Sequence, residues 1–288
     1  MSDSHPARGA IAAAVLLYLL HALCFSGKLW QWNEQAWAGN ERLRFALISS
    51  LFLEVTYWLA QLLNWLIMRD ASLYQRWAIA ERGDRVPPAP ELLRKCLTDL
   101  SVSHCVRPVL LYAAYSIYLA RGAPSSAALI PTATELVAHL AFAIAVDDTM
   151  FYWAHRALHH PRVYKHIHKQ HHEFKQPVGL ATEYAHPLEE ACNTLATALG
   201  PLLLGSHVAV SVGYMGLKLW QSIDAHSGML LPAPLSPWNL LPGMDCAAAH
   251  DFHHSHNVGN FGGFFTFWDR VCGTDAAYRR FLEKKKQR

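Results

Sequence analysis

The chain carries little formal charge for its size, and this scarcity limits what it can be. Asp, Glu, Lys and Arg make up 16% of its 288 residues, and apolar residues make up 52%. Typical soluble domains contain about 25% charged residues. The net charge is only +3, and no basic run is interleaved with aromatic residues, so no nucleic-acid partner is predicted. The composition favours a protein that lies in a membrane.

Cysteine is also sparse and shows no pairing pattern. The six cysteines are Cys24, Cys96, Cys105, Cys192, Cys246 and Cys272. They form no C-x-x-C pair, and several lie in apolar stretches, where cysteine usually acts as a small hydrophobic residue. Neither a disulfide framework nor a thiolate metal site is predicted. Linkers, internal repeats and low-complexity segments are missing from the sequence too, so we expect a single domain over residues 1–288.

Long apolar stretches take the place of the missing charge. About 20 helical residues cross the ~30 Å hydrocarbon core of a bilayer, and the first half of the chain contains several stretches of this kind. They are residues 9–27, 45–68, 100–120 and 136–154. The first resembles part of a signal peptide, but Leu23-Cys24-Phe25 is a poor cleavage site. The sequence therefore predicts about four transmembrane helices, mainly within residues 9–154.

A fifth apolar stretch, residues 191–217, is interrupted by Gly200-Pro201. Such a break favours a re-entrant or short membrane hairpin. Lys and Arg are concentrated after the second and fourth stretches and in the basic tail, residues 279–288, whereas residues 122–135 contain neither. Because cytosolic segments are rich in Lys and Arg, we predict that the tail and the rest of the chain after residue 154, the hairpin apart, are cytosolic.

Histidine is the residue type in excess, with 18 in the chain. Eight of them form three clusters: His155-Arg-Ala-Leu-His159, His168-Lys-Gln-His171-His172 and His250-Asp-Phe-His253-His254. Positions i, i+3 and i+4 of a helix share a face, so each cluster presents its imidazoles in one direction. Imidazole suits iron, zinc and copper. One tetrahedral zinc needs only four ligands, so the clusters predict two metal ions, or one metal with idle histidines.

Two further histidines have carboxylates near them in the sequence. His186 lies in Glu183-Tyr-Ala-His-Pro-Leu-Glu and His226 lies in Asp224-Ala-His-Ser-Gly. A carboxylate commonly orients a metal-bound imidazole through its other nitrogen, so we predict both histidines as ligands, supported by Glu183 and Asp224. Isolated histidines in apolar segments are instead predicted to lie in the core or at interfaces: His21, His104, His139 and His207.

Asp147 and Asp148 precede His155 by about two helical turns. Ionisable groups at the end of a transmembrane helix are costly and usually face an interior or water. They are predicted either to support the metal site and deliver protons or simply to cap the helix at the interface.

These patterns together resemble the membrane fatty acid hydroxylase and sterol desaturase superfamily, and within it most closely the C-4 methylsterol monooxygenases. Four stretches carry the closer likeness: Tyr164-Lys-His-Ile-His-Lys-Gln-His-His-Glu-Phe, Glu183-Tyr-Ala-His-Pro-Leu-Glu, Asp224-Ala-His-Ser-Gly and Trp268-Asp-Arg-Val-Cys-Gly-Thr-Asp. The resemblance extends from about residue 147 to residue 278. The N-terminal half matches mainly in its hydrophobic layout.

The resemblance implies an all-α integral membrane protein of the endoplasmic reticulum, with a cytosolic helical cap over residues 155–278. It implies two Fe ions in a shell of ten imidazoles, namely the three clusters with His186 and His226. Its implied co-substrate is O₂, with electrons from NAD(P)H through cytochrome b5 and its reductase. The implied substrate is a 4-methyl or 4,4-dimethyl sterol, and other enzymes of sterol C-4 demethylation are implied partners. The ending Lys285-Lys286-Gln287-Arg288 resembles a cytosolic dilysine retrieval signal.

Two positions depart from the pattern of this family. Met229-Leu230 stands where an aromatic residue followed by Asp is expected, and Asn260-Phe261 stands where Asn-Tyr is usual. We expect neither pair to touch a ligand and both to line the substrate pocket. The departures leave open a C-5 sterol desaturase, a cholesterol 25-hydroxylase-like enzyme or a fatty acid or alkylglycerol hydroxylase. A non-catalytic metal-binding membrane protein is the more distant alternative. Zinc competes well with ferrous iron for nitrogen ligands, so zinc in a purified sample would not contradict iron in the cell.

Overall fold

The computed structural model describes residues 34–79, 87–232 and 246–287, together with Gln31, Leu235, Ser236 and Trp238. The predicted span at residues 9–27 lies outside these residues. Across the described part of the chain the regular structure is helical, and one isolated antiparallel bridge joins Ala78 to Met229. The predicted all-α class is confirmed for this part.

In chain order the α-helices are α1 (Glu41–Arg69), α2 (Ala71–Trp77), α3 (Pro90–Ala120), α4 (Ala133–Leu158), α5 (Pro161–Tyr164), α6 (Pro187–Leu204), α7 (Val208–Ala225), α8 (Cys246–His256), α9 (Phe267–Cys272) and α10 (Ala276–Lys286). Short 3₁₀ turns occur at Ala127–Leu129, His171–Glu173 and Gly179–Glu183. The second, third and fourth apolar stretches of the sequence lie within α1, α3 and α4, and the fifth is divided between α6 and α7.

Local sequence signals explain where the long helices begin and turn. Helix α3 begins at Pro90, a residue suited to the first helical position because it needs no backbone N–H partner there. Helix α4 begins at a capping box, in which the Thr132 hydroxyl and the Glu135 carboxylate each accept the other residue's backbone N–H. Between α6 and α7 the chain reverses at Gly205, whose φ of +57° lies in the left-handed region.

Two of the described helices, α1 with 29 residues and α4 with 26, are long and apolar enough to cross a membrane. The outer surfaces of α1 and α3 are strongly apolar. Side chains there include Leu51, Leu59, Val109 and Leu110, which are 64%, 60%, 66% and 63% exposed. The buried side of α1 instead contains polar groups, Ser49, Ser50 and Asn64. The buried side therefore mixes polar residues with apolar ones such as Phe45, Leu53 and Tyr57, whereas the outer surface is mainly apolar.

The long helices pack against one another in pairs. Helix α6 lies against α4, and α1 lies against α3 and α7. The α4–α6 contact is unusually close at Gly200, where a built Cβ atom would lie 2.6 Å from the Cα atom of Ala143. Only glycine permits this approach, which brings the start of α6 beside the histidine-bearing end of α4.

We expect Gly200→Ala to weaken this packing, because the added methyl group forces α4 and α6 apart. Overpacking of this kind costs about 1–3 kcal/mol, which for a chain of this size lowers the unfolding midpoint by about 2–12 °C. Gly213→Ala in α7 is the matched control, since a Cβ atom there meets nothing within 4 Å and alanine favours helix. Thermal unfolding in detergent measures both variants. Equal unfolding midpoints would show that the helices do not pack tightly at Gly200.

Candidate metal centre

The structure brings nine of the ten predicted ligands together. They form two adjoining groups, in each of which the ring nitrogens lie within 4.8 Å of one another. Group one consists of His155, His159, His168, His172 and His253, and group two consists of His171, His226, His250 and His254. All are buried except His159, which is half-buried. The rings of His172 and His254, one from each group, stack with centroids 4.6 Å apart.

Helix geometry places the first and third clusters as predicted. His155 lies in the last turn of α4, and His159 is the residue that caps this helix. His250, His253 and His254 share one side of α8, although they divide between the two groups. His226 caps the C-terminus of α7.

The second cluster does not form an α-helix, and here the expectation of a shared helical face was wrong. His168 lies in a series of turns, and a 3₁₀ turn follows at His171–Glu173. The tighter turn lets the consecutive residues His171 and His172 point into different groups. This segment therefore connects the two groups through adjacent residues.

Most of the nine rings form a hydrogen bond to an oxygen atom through Nδ1. In five rings Nδ1 faces a backbone carbonyl: His155 that of Phe261 at 3.0 Å, His171 that of Tyr184 at 3.3 Å, His226 that of Ser222 at 2.7 Å, His253 that of Gly259 at 2.5 Å and His254 that of Phe174 at 3.0 Å. A carbonyl only accepts hydrogen bonds, so Nδ1 carries the hydrogen in these neutral rings. Their Nε2 atoms are then bare and carry a lone pair.

The Nε2 atoms of the rings face one another across each group. Group one has Nε2–Nε2 distances of 3.0 to 3.2 Å for the pairs His155–His168, His159–His253, His168–His172 and His172–His253. Group two has 2.9 to 3.2 Å for His171–His226, His226–His250 and His250–His254. In the pairs His155–His168 and His171–His226, both Nδ1 atoms face an oxygen acceptor, so both Nε2 atoms carry a lone pair. Two lone pairs cannot hydrogen-bond to each other, whereas a cation between them would be bound by both. The donor set therefore fits a transition-metal ion in each group.

Burial keeps these imidazoles in the neutral form that metals require. Burial, with a smaller effect of neighbouring histidines, lowers the pKa of His159 to about 2. Burial also lowers the pKa of His171 to about 4, although carbonyl partners oppose the shift. Burial is also the main reason that pKa values are lowered for His168, His172, His250, His253 and His254. At neutral pH the rings are ligands without first losing a proton.

His186, the tenth predicted ligand, is not brought into either group. It precedes α6, and its Nδ1 accepts the backbone N–H of Leu188 at 3.2 Å. It acts as the helix cap, because the first N–H groups of a helix have no partner within the helix. The carboxylate that reaches the site from this motif is instead Glu189, whose Oε1 accepts the His168 Nδ1–H at 2.8 Å.

Sequence reasoning missed Glu189 as a supporting residue, although it is the last residue of the quoted motif. It is 3% exposed, and its Oε2 atom has no hydrogen-bond partner among the described residues. A carboxylate in the first turn of a helix that begins beside a histidine was the available signal, since negative charge is favoured there.

The four carboxylates that were predicted to support the site have their observed hydrogen bonds with other residues of the described chain. Asp147 accepts the Tyr214 hydroxyl at 2.7 Å, and Asp224 accepts the Ser236 hydroxyl at 2.6 Å. The ring of His226 is oriented by the Ser222 carbonyl, so Asp224 does not have the role predicted from its position.

Glu183 belongs to a cluster of charged groups between α1, α3 and the 3₁₀ turn at Gly179–Glu183. It accepts from Arg107 at 2.8 Å, and His104 lies between Glu183 and Glu54 with one ring nitrogen 2.8 Å from each. His104 is thus an interface residue, as predicted. The cluster anchors the backbone immediately before Tyr184, whose carbonyl faces His171 of group two.

A glycine-rich loop supports group one from the other side. Gly259 and Phe261 in this loop supply the carbonyls behind His253 and His155. Asp148 accepts the backbone N–H groups of Phe264 and Phe265 at 2.8 and 2.9 Å. At the other end of the loop, Asp269 of α9 accepts those of Phe261 and Gly262 at 2.9 and 2.8 Å. Two carboxylates therefore hold the loop that orients two rings.

The two sequence departures fall in different surroundings. Met229 is buried against Ile67 and Leu231. Phe261 does touch the site, contrary to expectation, because its ring centroid lies 5.0 Å from that of His159 and 5.6 Å from that of His155. A phenyl ring at this position covers the histidines with an apolar surface.

Comparison with known proteins gives the family. A family model described as fatty acid hydroxylase matches residues 140–274. Methylsterol monooxygenase 1 of Rattus norvegicus is 44% identical over 142 residues, which are 49% of this chain and 48% of the relative. Methylsterol monooxygenase 2-2 of Arabidopsis thaliana is 33% identical over 246 residues, 84% of this chain and 90% of the relative.

A relative with a different name matches over a similar length. Very-long-chain aldehyde decarbonylase GL1-11 of Oryza sativa subsp. indica is 32% identical over 262 residues, 88% of this chain and 96% of the relative. No solved structure shows a significant match. Because relatives more than 30% identical align over most of their own length, the chain belongs to the fatty acid hydroxylase family, as a relative of the methylsterol monooxygenases.

Proposed function

We propose that this chain is a membrane monooxygenase that uses O₂ and two iron ions to oxidise the C-4 methyl group of 4-methyl or 4,4-dimethyl sterols. The observation that carries the proposal is the pair of adjoining histidine groups, whose ring nitrogens lie within 4.8 Å of one another in each group. The sterol substrate is supported by the names of the relatives from rat and Arabidopsis thaliana.

The membrane location is supported by the surface of the helices. A soluble protein rarely exposes a continuous apolar surface along helices of this length, and α1 and α4 meet the length and apolarity that a span needs. We place the enzyme in the endoplasmic reticulum membrane, with the histidine groups and α10 on the cytosolic side, as the distribution of Lys and Arg favours.

The nine histidines of the two groups would hold the metals. Iron, when bound there, supplies the redox chemistry that lets O₂ attack an unactivated C–H bond. The chain itself orients the rings through Glu189 and the backbone carbonyls, and keeps Nε2 free of hydrogen. Phe261 and the surrounding helices exclude water from the imidazoles. The required electrons would come from NAD(P)H through separate proteins, and another enzyme would remove the carboxylate that stepwise oxidation produces.

Aldehyde decarbonylation is the second candidate, because the relative of that name in Oryza sativa aligns with 88% of this chain. Both activities would use the same histidine groups, so the geometry of the metal centre does not separate them. The substrate separates the two activities, since a rigid sterol and a very long flexible aldehyde differ in shape and give different products.

Product analysis distinguishes these candidates. We expect expression of this chain in yeast that lacks its own C-4 methylsterol oxidase to rescue growth without added sterol and to deplete 4,4-dimethylsterols. A variant with His171→Ala is the inactive control. Conversion of long-chain aldehydes to alkanes, with 4,4-dimethylsterols unchanged and metal bound, would refute the sterol assignment and favour the second candidate.

We expect His171→Ala to lose iron from group two and to abolish turnover, because this change removes one of four buried ligands. The matched variant His186→Ala should retain both irons and lose only a helix cap, which costs about 1 kcal/mol. Iron per chain by mass spectrometry, with turnover, checks both variants. Loss of iron in His186→Ala equal to that in His171→Ala would restore His186 as a ligand.

We expect Glu189→Gln to weaken metal binding without removing a ligand. Groups that orient a ligating histidine typically contribute about 10–100-fold in metal affinity, and Glu189 is the carboxylate partner of His168. Competition with a chelator measures the affinity, and Glu91→Gln on the exposed start of α3 is the control. Equal metal affinity in the two variants would show that Glu189 has no orienting role.

A further inference from the structure

The proposed oxidation consumes electrons. Among the described residues, metals bound by the two histidine groups are where these electrons would be held. Inserting one oxygen atom into a C–H bond consumes O₂, two electrons and two protons, and yields the alcohol and water. The sequence contains no G-x-G-x-x-G dinucleotide fingerprint, and the described metal-ligating clusters are the two histidine groups. Electrons must therefore enter from a partner that docks near these groups.

Helix α10 lies close to the metal centre through one set of aromatic contacts. The ring of Phe252, next to His253 in α8, lies 5.1 Å from that of Tyr278 and 5.2 Å from that of Phe281. The exposed imidazole of His256 stacks on the same ring, with centroids 4.1 Å apart. A surface imidazole and α10 thus contact a buried side chain whose neighbour in the sequence is a histidine of group one.

The outward side of α10 is basic. Its exposed residues are Arg279, Arg280, Glu283, Lys284, Lys285, Lys286 and Gln287. A basic surface of this kind attracts an acidic partner and orients it during docking.

The distribution of residues in α10 favours a protein over a lipid surface. A helix that lies on a membrane turns its apolar side to the lipid, whereas α10 uses Tyr278 and Phe281 against α8. What remains outside is charged. A partner with acidic residues around an exposed redox group complements this surface.

We propose that α10 and His256 form the docking surface for an acidic one-electron carrier protein, which delivers electrons to group one past Phe252. The proposal rests on the proposed function, because it supplies the electrons of that reaction. Each of two reduced carriers is oxidised by one electron at this surface for each oxygen atom inserted, and solvent supplies the two protons.

The test uses the full-length iron-loaded protein in phosphatidylcholine nanodiscs, with the acidic haem domain of cytochrome b5 as the probe. We expect the double variant Arg280→Glu, Lys284→Glu to raise the Kd for the oxidised probe about 10-fold or more at low salt and to flatten its salt dependence. The matched control is Arg76→Glu, Arg94→Glu, which reverses two exposed charges on α2 and α3 and should leave the Kd within about 2-fold of the parent protein.

A second readout separates docking from catalysis. With dithionite as the reductant, both double variants should convert the sterol as the parent does, whereas the α10 variant should be slow when the haem domain supplies the electrons. An unchanged Kd in the α10 variant, or protection of residues 279–286 from hydrogen exchange by phosphatidylserine but not by the haem domain, would overturn the docking surface. Failure of the parent protein to oxidise any sterol with dithionite would refute the proposed function instead, and the binding result would still stand.

Discussion

The hydrogen bond from histidine Nδ1 to an oxygen behind the ring is the interaction on which the rest of the site depends. It fixes the tautomer, so that Nε2 carries a lone pair instead of a hydrogen. Repeated for rings such as His155, His171 and His226, it places lone pairs opposite each other at 3.1 Å in group one and 3.2 Å in group two. Such an arrangement is unfavourable for neutral rings alone, and a bound cation turns the repulsion into attraction.

The surrounding structure makes these hydrogen bonds possible, because it holds the accepting backbone carbonyls at fixed positions. The carbonyl of Tyr184 is held because Glu183 beside it pairs with Arg107 of α3. The carbonyl of Phe261 is held because Asp269 accepts the N–H of the same residue. Charged residues that are expensive in an apolar setting are therefore placed where they immobilise the backbone behind a ring.

Much of this architecture could be predicted from the sequence, and the misses have physical causes. Helices α1, α3 and α4 followed from apolar length, and α8 followed from the i, i+3 and i+4 spacing of His250, His253 and His254. The second cluster has the same spacing, yet it forms turns, because local spacing does not reveal which backbone conformation the surrounding contacts select. Membrane insertion of these helices stays a prediction.

The supporting residues were harder to predict because proximity in sequence is a poor guide to hydrogen bonding across the fold. Asp224 lies two residues before His226 and does not orient it, whereas Glu189 lies 21 residues after His168 and does. His186 has the spacing and the carboxylate neighbours of a ligand, but its position before α6 makes it a helix cap. Sequence identifies the residue types that the site needs, and only the packing of the helices assigns their partners.

The clusters in the sequence are not the metal sites of the structure. The first cluster belongs to group one alone, but His168 and His172 of the second enter group one while His171 enters group two, and the third divides in the same way. Neither group can form unless the second and third clusters are both in place. This shared construction explains why the spacing H-x-x-H-H occurs twice: each copy supplies imidazoles to both groups from one backbone segment, and the two segments together complete both groups.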